Sequence, residues 1–511
     1  MSEETLKQRI IKNTVWNFIC TSTSRVGGLI FTIIIARVLF PELFGVYALA
    51  LTIILTISTF TDLGLNSTIT RYLAESLKIK SKKKEIEARS RLSFLFNFKV
   101  LLTAVISFAL FFLAETISIY IFKKPTLVLP LKIGAVYLFA ISLQGFLSAI
   151  FVTLQKIKYN AISEFIFEFF RIGLVVVFLY AYKTAGAQKV GNVFIALAIS
   201  LFISCIFLFI FLLKKYKFLI SGEKFELEKK EKVKLLSFFG WLSISSISLI
   251  FFINIDTFML GIFLPQAEFV GFYQAIFSIV GAVVAFVAFS GIFLPIFTQM
   301  KKENIEKNFK KIFHYLSIIT IPAAIGLAFI IVPAMRLIYG PAYVPAQYGL
   351  AIFLAAVLTS LFVIESAFTA LYSTIFQARE KPKIPALLVV LAAIENIILN
   401  YFFIKIGISI APQYALVGAA AATLISRYTN LILLGVSSRK NFNLKASASS
   451  ITKPLLASAI MLAFLILFKH FVAMNIFTAI IMIILAAIIY FVFITLFKGI
   501  KKEELRNLKY I

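Results

Sequence analysis

The sequence predicts an all-α integral membrane protein with about fourteen transmembrane helices, and three observations carry that prediction. Of 511 residues, 61% are apolar and only 14% charged, against roughly 45–50% and about 25% in soluble domains. The apolar residues fall in long continuous runs, where barrel strands would alternate apolar and polar over about ten residues. The charge is lopsided, 51 Lys+Arg against 23 Asp+Glu, and the bases gather in alternate connections between runs. Fifty-seven Phe exclude a disordered chain, and two Cys exclude a disulfide scaffold.

The runs lie near 14–39, 43–64, 92–114, 127–153, 161–182, 191–213, 237–263, 270–297, 312–334, 348–376, 384–404, 415–435, 454–470 and 475–497. Each approaches or exceeds the roughly 20 residues that cross about 30 Å of hydrocarbon. The first thirteen residues are polar, and the run behind them is too long for a signal-peptide core, so the first helix is expected to be uncleaved. Lys and Arg in short loops set orientation. With a cytoplasmic N-terminus, 38 bases fall inside, seven outside (Lys123, Lys124, Lys183, Lys189, Arg336, Lys405, Lys469) and six within spans. Both termini are therefore expected in the cytoplasm, with the protein in the cell (cytoplasmic) membrane.

The clusters KIKSKKKEIEARSR (78–91) and KKYKFLISGEKFELEKKEKVK (214–234) read as topological determinants that attract anionic membrane lipid. A net charge of +28 would suggest a nucleic acid partner in a soluble protein. No aromatic stacking module accompanies the charge here, so no nucleic acid partner is expected.

The chain also repeats itself. ARVLFPELFGVYALA (36–50) lies against LGIFLPQAEFVGFYQAI (260–276), pairing Pro41 with Pro265, Gly45 with Gly271 and Tyr47 with Tyr273. ISIYIFKKPTLVLPLKIGAVYLF (117–139) resembles MRLIYGPAYVPAQYGLAIF (335–353). Six helices separate the copies, which predicts a parallel repeat with a substrate site near the midplane. The expected organisation is an N-terminal six-helix lobe (1–220), a second six-helix lobe (221–445), and two additional helices with a cytoplasmic tail (446–511).

At KNTVWNF (12–18), the 36–50 motif, FTDLGL (60–65), FGWLSISSISLIFFINIDTFMLGIF (239–263), IFLPIFTQM (292–300) and ALVGAAAATLISR (415–427), the chain resembles polysaccharide-biosynthesis flippases of the O-antigen exporter type. These belong to the multidrug/oligosaccharidyl-lipid/polysaccharide exporter superfamily. The resemblance reaches about residue 435; Phe40 departs from it, because the family more often has Gly before Pro-Glu. It implies two pseudo-symmetric lobes in the manner of multidrug exporters, and translocation of an isoprenoid-phosphate-linked oligosaccharide by alternating access. It also implies glycan-assembly enzymes as partners.

An ionisable group deep in a span costs a few kcal/mol and marks a functional candidate. Arg25, Lys99, Arg171 and Arg427 are the deep bases, suited to a lipid phosphate, which the arginine fork can hold through two hydrogen bonds. Arg37 and Lys132 lie near helix ends and are expected to snorkel. Glu168, Asp256, Glu365 and Glu395 are the deep acids, candidates for coupling to H+ or Na+. Asp62 is a candidate gate at the end of the second run. The alternative for each base is neutralisation by an acid. Glu164, Glu168 and Arg171 share one helix face, and Asp256 is a candidate partner of Arg25 or Arg427.

Two histidines in different runs offer no metal site, no GxxxxGK[ST] occurs, and the outside loops are short and nearly free of acids. No cofactor and no enzymatic activity are expected. A multidrug cation exporter, a peptidoglycan lipid-precursor flippase and a non-transporting scaffold stand as alternatives.

Overall fold

The computed structural model describes residues 6–62, 64–77, 81–181, 184–287, 297, 302–472 and 475–500. The first five residues, Lys183, Pro295 with nearly all of the 292–300 motif, and the tail from residue 501 lie outside them. Every regular element among the described residues is a helix.

The first two runs form one element, α1 (Leu6–Asp62), broken at Phe40 (φ 57°, ψ 170°). The break precedes Pro41, whose ring disfavours helical geometry at the residue before it while suiting the first turn of the next helical stretch. A short α2 (Leu65–Leu77) leads to α3 (Lys82–Thr116), α4 (Val128–Thr153), α5 (Ile157–Tyr180), α6 (Ala187–Lys215), α7 (Lys229–Phe263) and α8 (Glu268–Val287). Then come α9 (Lys302–Ile338), α10 (Gly349–Ser360), α11 (Phe362–Ala378), α12 (Lys383–Ile410), α13 (Ala415–Phe442), α14 (Ser449–Phe471) and α15 (Ile476–Leu496).

Eleven stretches of the described residues are helical, long and apolar enough to cross a membrane. Two of the three differences from the sequence have physical causes. α1 holds two runs, and α5 carries Glu164, Glu168 and Arg171 through its middle, which breaks its apolar window. The third concerns α7, of which only Phe252–Phe263 lies in an unbroken stretch of residues described with their side chains. Phe108 is 67% exposed, Phe112 70% and Phe471 80%. Large rings left bare on that scale require lipid around them. Hydroxyls inside the helices are satisfied locally, Thr32 on the Gly28 carbonyl (2.8 Å) and Ser200 on that of Ala196 (2.6 Å), as a solvent without hydrogen bonds demands.

Packing divides the chain into two units, Met1–Gly271 and Phe272–Ile511. The division falls inside α8, and the basic linker near 220 is tied back to the first unit. Arg89 donates to the carbonyls of Phe218 and Glu223 (2.7 Å each), and Arg91 pairs with Glu231 at 2.7 Å. The core of the first unit joins α2, α3, α4 and α6 through Ile69, Leu95, Phe146, Phe151 and Leu208. Within this unit residues 41–45 and 267–271 of the repeated motif lie backbone to backbone. A Cβ on Gly45 would stand 1.9 Å from the Ala267 carbonyl oxygen, and one on Gly271 2.1 Å from that of Pro41. Both contacts exclude any side chain.

In the second unit α12 and α13 pair closely: a Cβ on Gly407 would meet the Tyr414 carbonyl at 2.4 Å, and one on Gly418 that of Phe403 at 2.2 Å. The last two helices rest on α9. Ala457, Met461 and Leu465 of α14 cluster with Ile318 of α9 and with Met482, Ala486 and Tyr490 of α15. The Tyr490 hydroxyl donates to the Ile318 carbonyl at 2.8 Å.

Candidate functional site

In the first unit, α1 and α5 together build a charged cluster. Gly27 removes the side chain that would otherwise collide with Glu168, whose carboxylate lies where a Cβ on Gly27 would point. One helical turn along α5, Arg171 ion-pairs with Glu168. The guanidinium carbon stands 4.4 Å from the Phe31 ring centroid and 4.9 Å from that of Phe167. Two aromatic faces and a carboxylate hold the cation, yet its Nε is buried without a hydrogen-bond partner among the described residues. A buried N–H of that kind is costly unless something accepts from it. Arg25 sits exposed on α1, one turn before this cluster.

Lys99 on α3 is 2% exposed. It donates to the Thr61 carbonyl (2.8 Å) and stands 3.8 Å from Asp62, both at the end of α1. Thr61 and Thr103 share the Ser142 hydroxyl at 2.7 and 2.9 Å, which completes a buried polar knot of three helices. Asp62 also accepts from the Asn66 amide at 3.2 Å, capping α2, so the proposed gate residue joins two helix ends. Asp256 is 1% exposed on α7. Lys132 lies 5.9 Å from the Phe111 ring centroid, and Arg37 is exposed.

The second unit has its own cluster. Arg427 on α13 pairs with Glu365 on α11 at 3.0 Å and lies 4.8 Å from the Phe362 ring centroid. Thr369 donates to the other Glu365 oxygen at 2.7 Å. Glu395 on α12 accepts from Thr429 at 3.1 Å.

The structure thus brings Arg171 to Glu168, Lys99 to Asp62 and Arg427 to Glu365. Only the first pair lies on one helix, where spacing makes it legible. For Lys99, which has no acid in reach on its own helix, the acid comes from α1. For Arg427, the neighbour is Glu365. Sequence reasoning passed over Asn396, Asn400 and Thr423. Asn400 donates to the Asn396 carbonyl (3.0 Å) and to its side-chain oxygen (2.7 Å), and Thr423 donates to the same oxygen at 3.2 Å. All three are at most 1% exposed. The available signal was two amides four residues apart inside an apolar run, one helical turn on one face.

Residues 10–301 match the family described as polysaccharide biosynthesis protein. That match spans more than half of the chain. The chain belongs to this family. A curated relative, the probable low-salt glycan biosynthesis flippase Agl15 of Haloferax volcanii, is 25% identical over 286 residues, 55% of this chain. The chain spans 57% of that relative's length.

Solved structures show the same fold. The lipid II flippase MurJ in an inward closed conformation superposes with a TM-score of 0.74 at 18% identity, covering 95% of this chain and 98% of that one. An inward-facing multidrug transporter of the same superfamily gives 0.56 at 14%, over 83% and 94%. A Pyrococcus furiosus transporter of the superfamily, described as having a binding pocket of reverse polarity, gives 0.56 at 14%, over 86% and 96%. This polysaccharide biosynthesis protein therefore shares the helical fold of these exporters, and the proteins it resembles are flippases and transporters by name.

Proposed function

We propose that the protein is a flippase. It moves an isoprenoid-phosphate- or pyrophosphate-linked oligosaccharide from the cytoplasmic to the outer leaflet of the cell membrane by alternating access. It is coupled to H+ or Na+ and serves glycan-assembly enzymes that act on either side. Family membership and the glycan flippase Agl15 support the substrate class.

The observation that carries the reading is Arg171: a half-buried guanidinium, within 5 Å of two ring centroids, whose buried Nε has no acceptor among the described residues. A lipid phosphate supplies the missing acceptor and keeps a charge-assisted bond in a medium of low dielectric. A multidrug cation exporter has no use for that donor. Arg25 and, in the second unit, Arg427 extend the cationic set, while Glu365 and Glu395 are the candidates for coupling.

The test is flipping of a fluorescent polyprenyl-pyrophosphate oligosaccharide in proteoliposomes, with and without an imposed Na+ or H+ gradient. Wild type exposes the probe and one gradient accelerates it. Arg171→Lys keeps the ion pair with Glu168 but loses the fork, so the rate should fall about tenfold, the size of one charge-assisted bond. In cells, Arg25→Ala should abolish surface glycan export at a normal membrane level. A wild-type rate in Arg171→Lys removes that residue from the site. Export of a cationic dye without movement of the lipid overturns the flippase reading.

A further inference from the structure

The second unit contains a cavity of about 960 Å³ walled by α9, α10 and α14, at the upper end of the roughly 300–1,000 Å³ common for ligand sites. Its wall is apolar almost throughout, with Phe329 on α9, Val357 on α10, and Leu462 and Ile466 on α14. Two cations are the exception. Arg336 lies in the last turn of α9 and Lys469 in the last turn of α14, so both sit at one end of the cavity. Both side chains are exposed, and neither takes part in an ion pair among the described residues. Lys469 Nζ lies 5.6 Å from the Phe329 ring centroid.

A favourable dipole explains a base at the end of either helix. It does not explain two such bases, neither ion-paired among the described residues, at the mouth of one largely apolar cavity. The α14 wall exists only because the last two helices, which lie outside the internal repeat, are anchored on α9 through the Met461–Ile318–Tyr490 cluster and the Tyr490 hydrogen bond.

We propose that this cavity holds an anionic phospholipid of the surrounding membrane. Its acyl chains fill the space between α9, α10 and α14, and its phosphate is gripped by Arg336 and Lys469. Charge complementarity selects an anionic head. Depth selects a resident phospholipid over the transported lipid: the bases stand at helix ends, at the level of headgroups, and among the described residues no other polar side chain lines the cavity to receive a sugar. Ile466 is 56% exposed, so the cavity opens laterally where a lipid enters. The two added helices thus serve as a lipid-binding buttress for the second unit. This inference does not depend on what the protein transports.

The test is native mass spectrometry of the delipidated full chain titrated with phosphatidylglycerol, phosphatidylcholine or a polyprenyl phosphate. Phosphatidylglycerol should bind, and should bind at least about tenfold more tightly than phosphatidylcholine, given two bases at the headgroup. The double variant Arg336→Gln/Lys469→Gln should erase that preference. Ala328→Trp/Val357→Trp, which narrows the cavity from its α9 and α10 walls and leaves both charges, should weaken phosphatidylglycerol binding by a similar factor. Equal binding of both phospholipids overturns the anionic selection, and full binding in Ala328→Trp/Val357→Trp overturns the site, because surface charge alone would then account for the preference. Displacement of phosphatidylglycerol by equimolar polyprenyl phosphate overturns the choice of occupant in favour of the carrier lipid.

Discussion

Phe40 is the residue at which local chemistry and fold disagree most openly. Its backbone, at φ 57° and ψ 170°, lies in a region that is essentially glycine's and costs other residues about 1–3 kcal/mol. The ring recovers little, being 61% exposed, and the family that the sequence resembles more often places Gly there. Phe40→Gly should relieve the strain and lose roughly 1 kcal/mol to the freer unfolded chain. The expected net gain of about 1 kcal/mol corresponds to a thermal midpoint in detergent higher by about 1–3 °C. A lower midpoint would show that the ring packs on something worth more than the strain. The charges show the same limit on reading single residues. Glu168 and Arg171 were legible as a pair because three residues is one helical turn. The partners of Lys99 and Arg427 come from other helices, and hydrophobic periodicity carries no information on which helix lies beside which. Gly27 and the Phe31 ring, which complete the Arg171 site, have no sequence signal beyond being small and apolar.

At the scale of elements, the connection between α7 and α8 is held by charge at both ends. Lys124, in the loop between α3 and α4, donates to the carbonyls of Gly261 (2.6 Å) and Leu264 (2.5 Å) at the end of α7. Glu42 accepts from the amides of Ala267 (3.2 Å) and Glu268 (2.7 Å) at the start of α8. A cation caps a helix C-terminus and an anion the next N-terminus, each against the favourable end of the dipole. The sequence placed Lys124 among the outside bases and aligned Pro41 with Pro265. That alignment located the junction. That Lys124 is buried at 4% exposure was not legible, since a loop lysine ordinarily faces water. Burial pushes the Lys124 ammonium down to about 8 from 10.5, against the opposing pull of Glu42. Between those values the unfolded chain binds more protons than the folded one, so stability rises with pH across that window. The thermal midpoint of the purified protein should therefore climb from pH 8 towards pH 10. Lys124→Met, with no proton to lose there, should flatten the climb relative to wild type, and an unchanged slope would place the titrating group elsewhere.

At the scale of the whole molecule, a net charge of +28 resolves into a statement about orientation. The fourteen runs read from hydropathy fall on helices wherever they are described, because continuous apolar length is a signal that tertiary packing does not rewrite. The contacts by which Arg89, Arg91 and Lys124 hold the linker and the end of α7 were not legible, because they join segments far apart in the chain. Orientation is the remaining inference, and it rests on counting bases. Lys156, Lys230 and Lys381 are exposed in stretches assigned to the cytoplasm, and Gln188 and Ser409 are exposed in stretches assigned to the outside. In a background where Cys20 and Cys205 are replaced, single cysteines at these five positions separate the two orientations with a membrane-impermeant maleimide on intact cells. Gln188→Cys and Ser409→Cys should label at once. Lys156→Cys, Lys230→Cys and Lys381→Cys should label only after the membrane is opened. The opposite pattern would place both basic clusters outside, and the proposed phospholipid, lying at the end of α9 away from the basic 301–311 stretch, would then belong to the cytoplasmic leaflet. The labelling pattern thus decides the topology and, with it, which leaflet supplies the lipid held by Arg336 and Lys469.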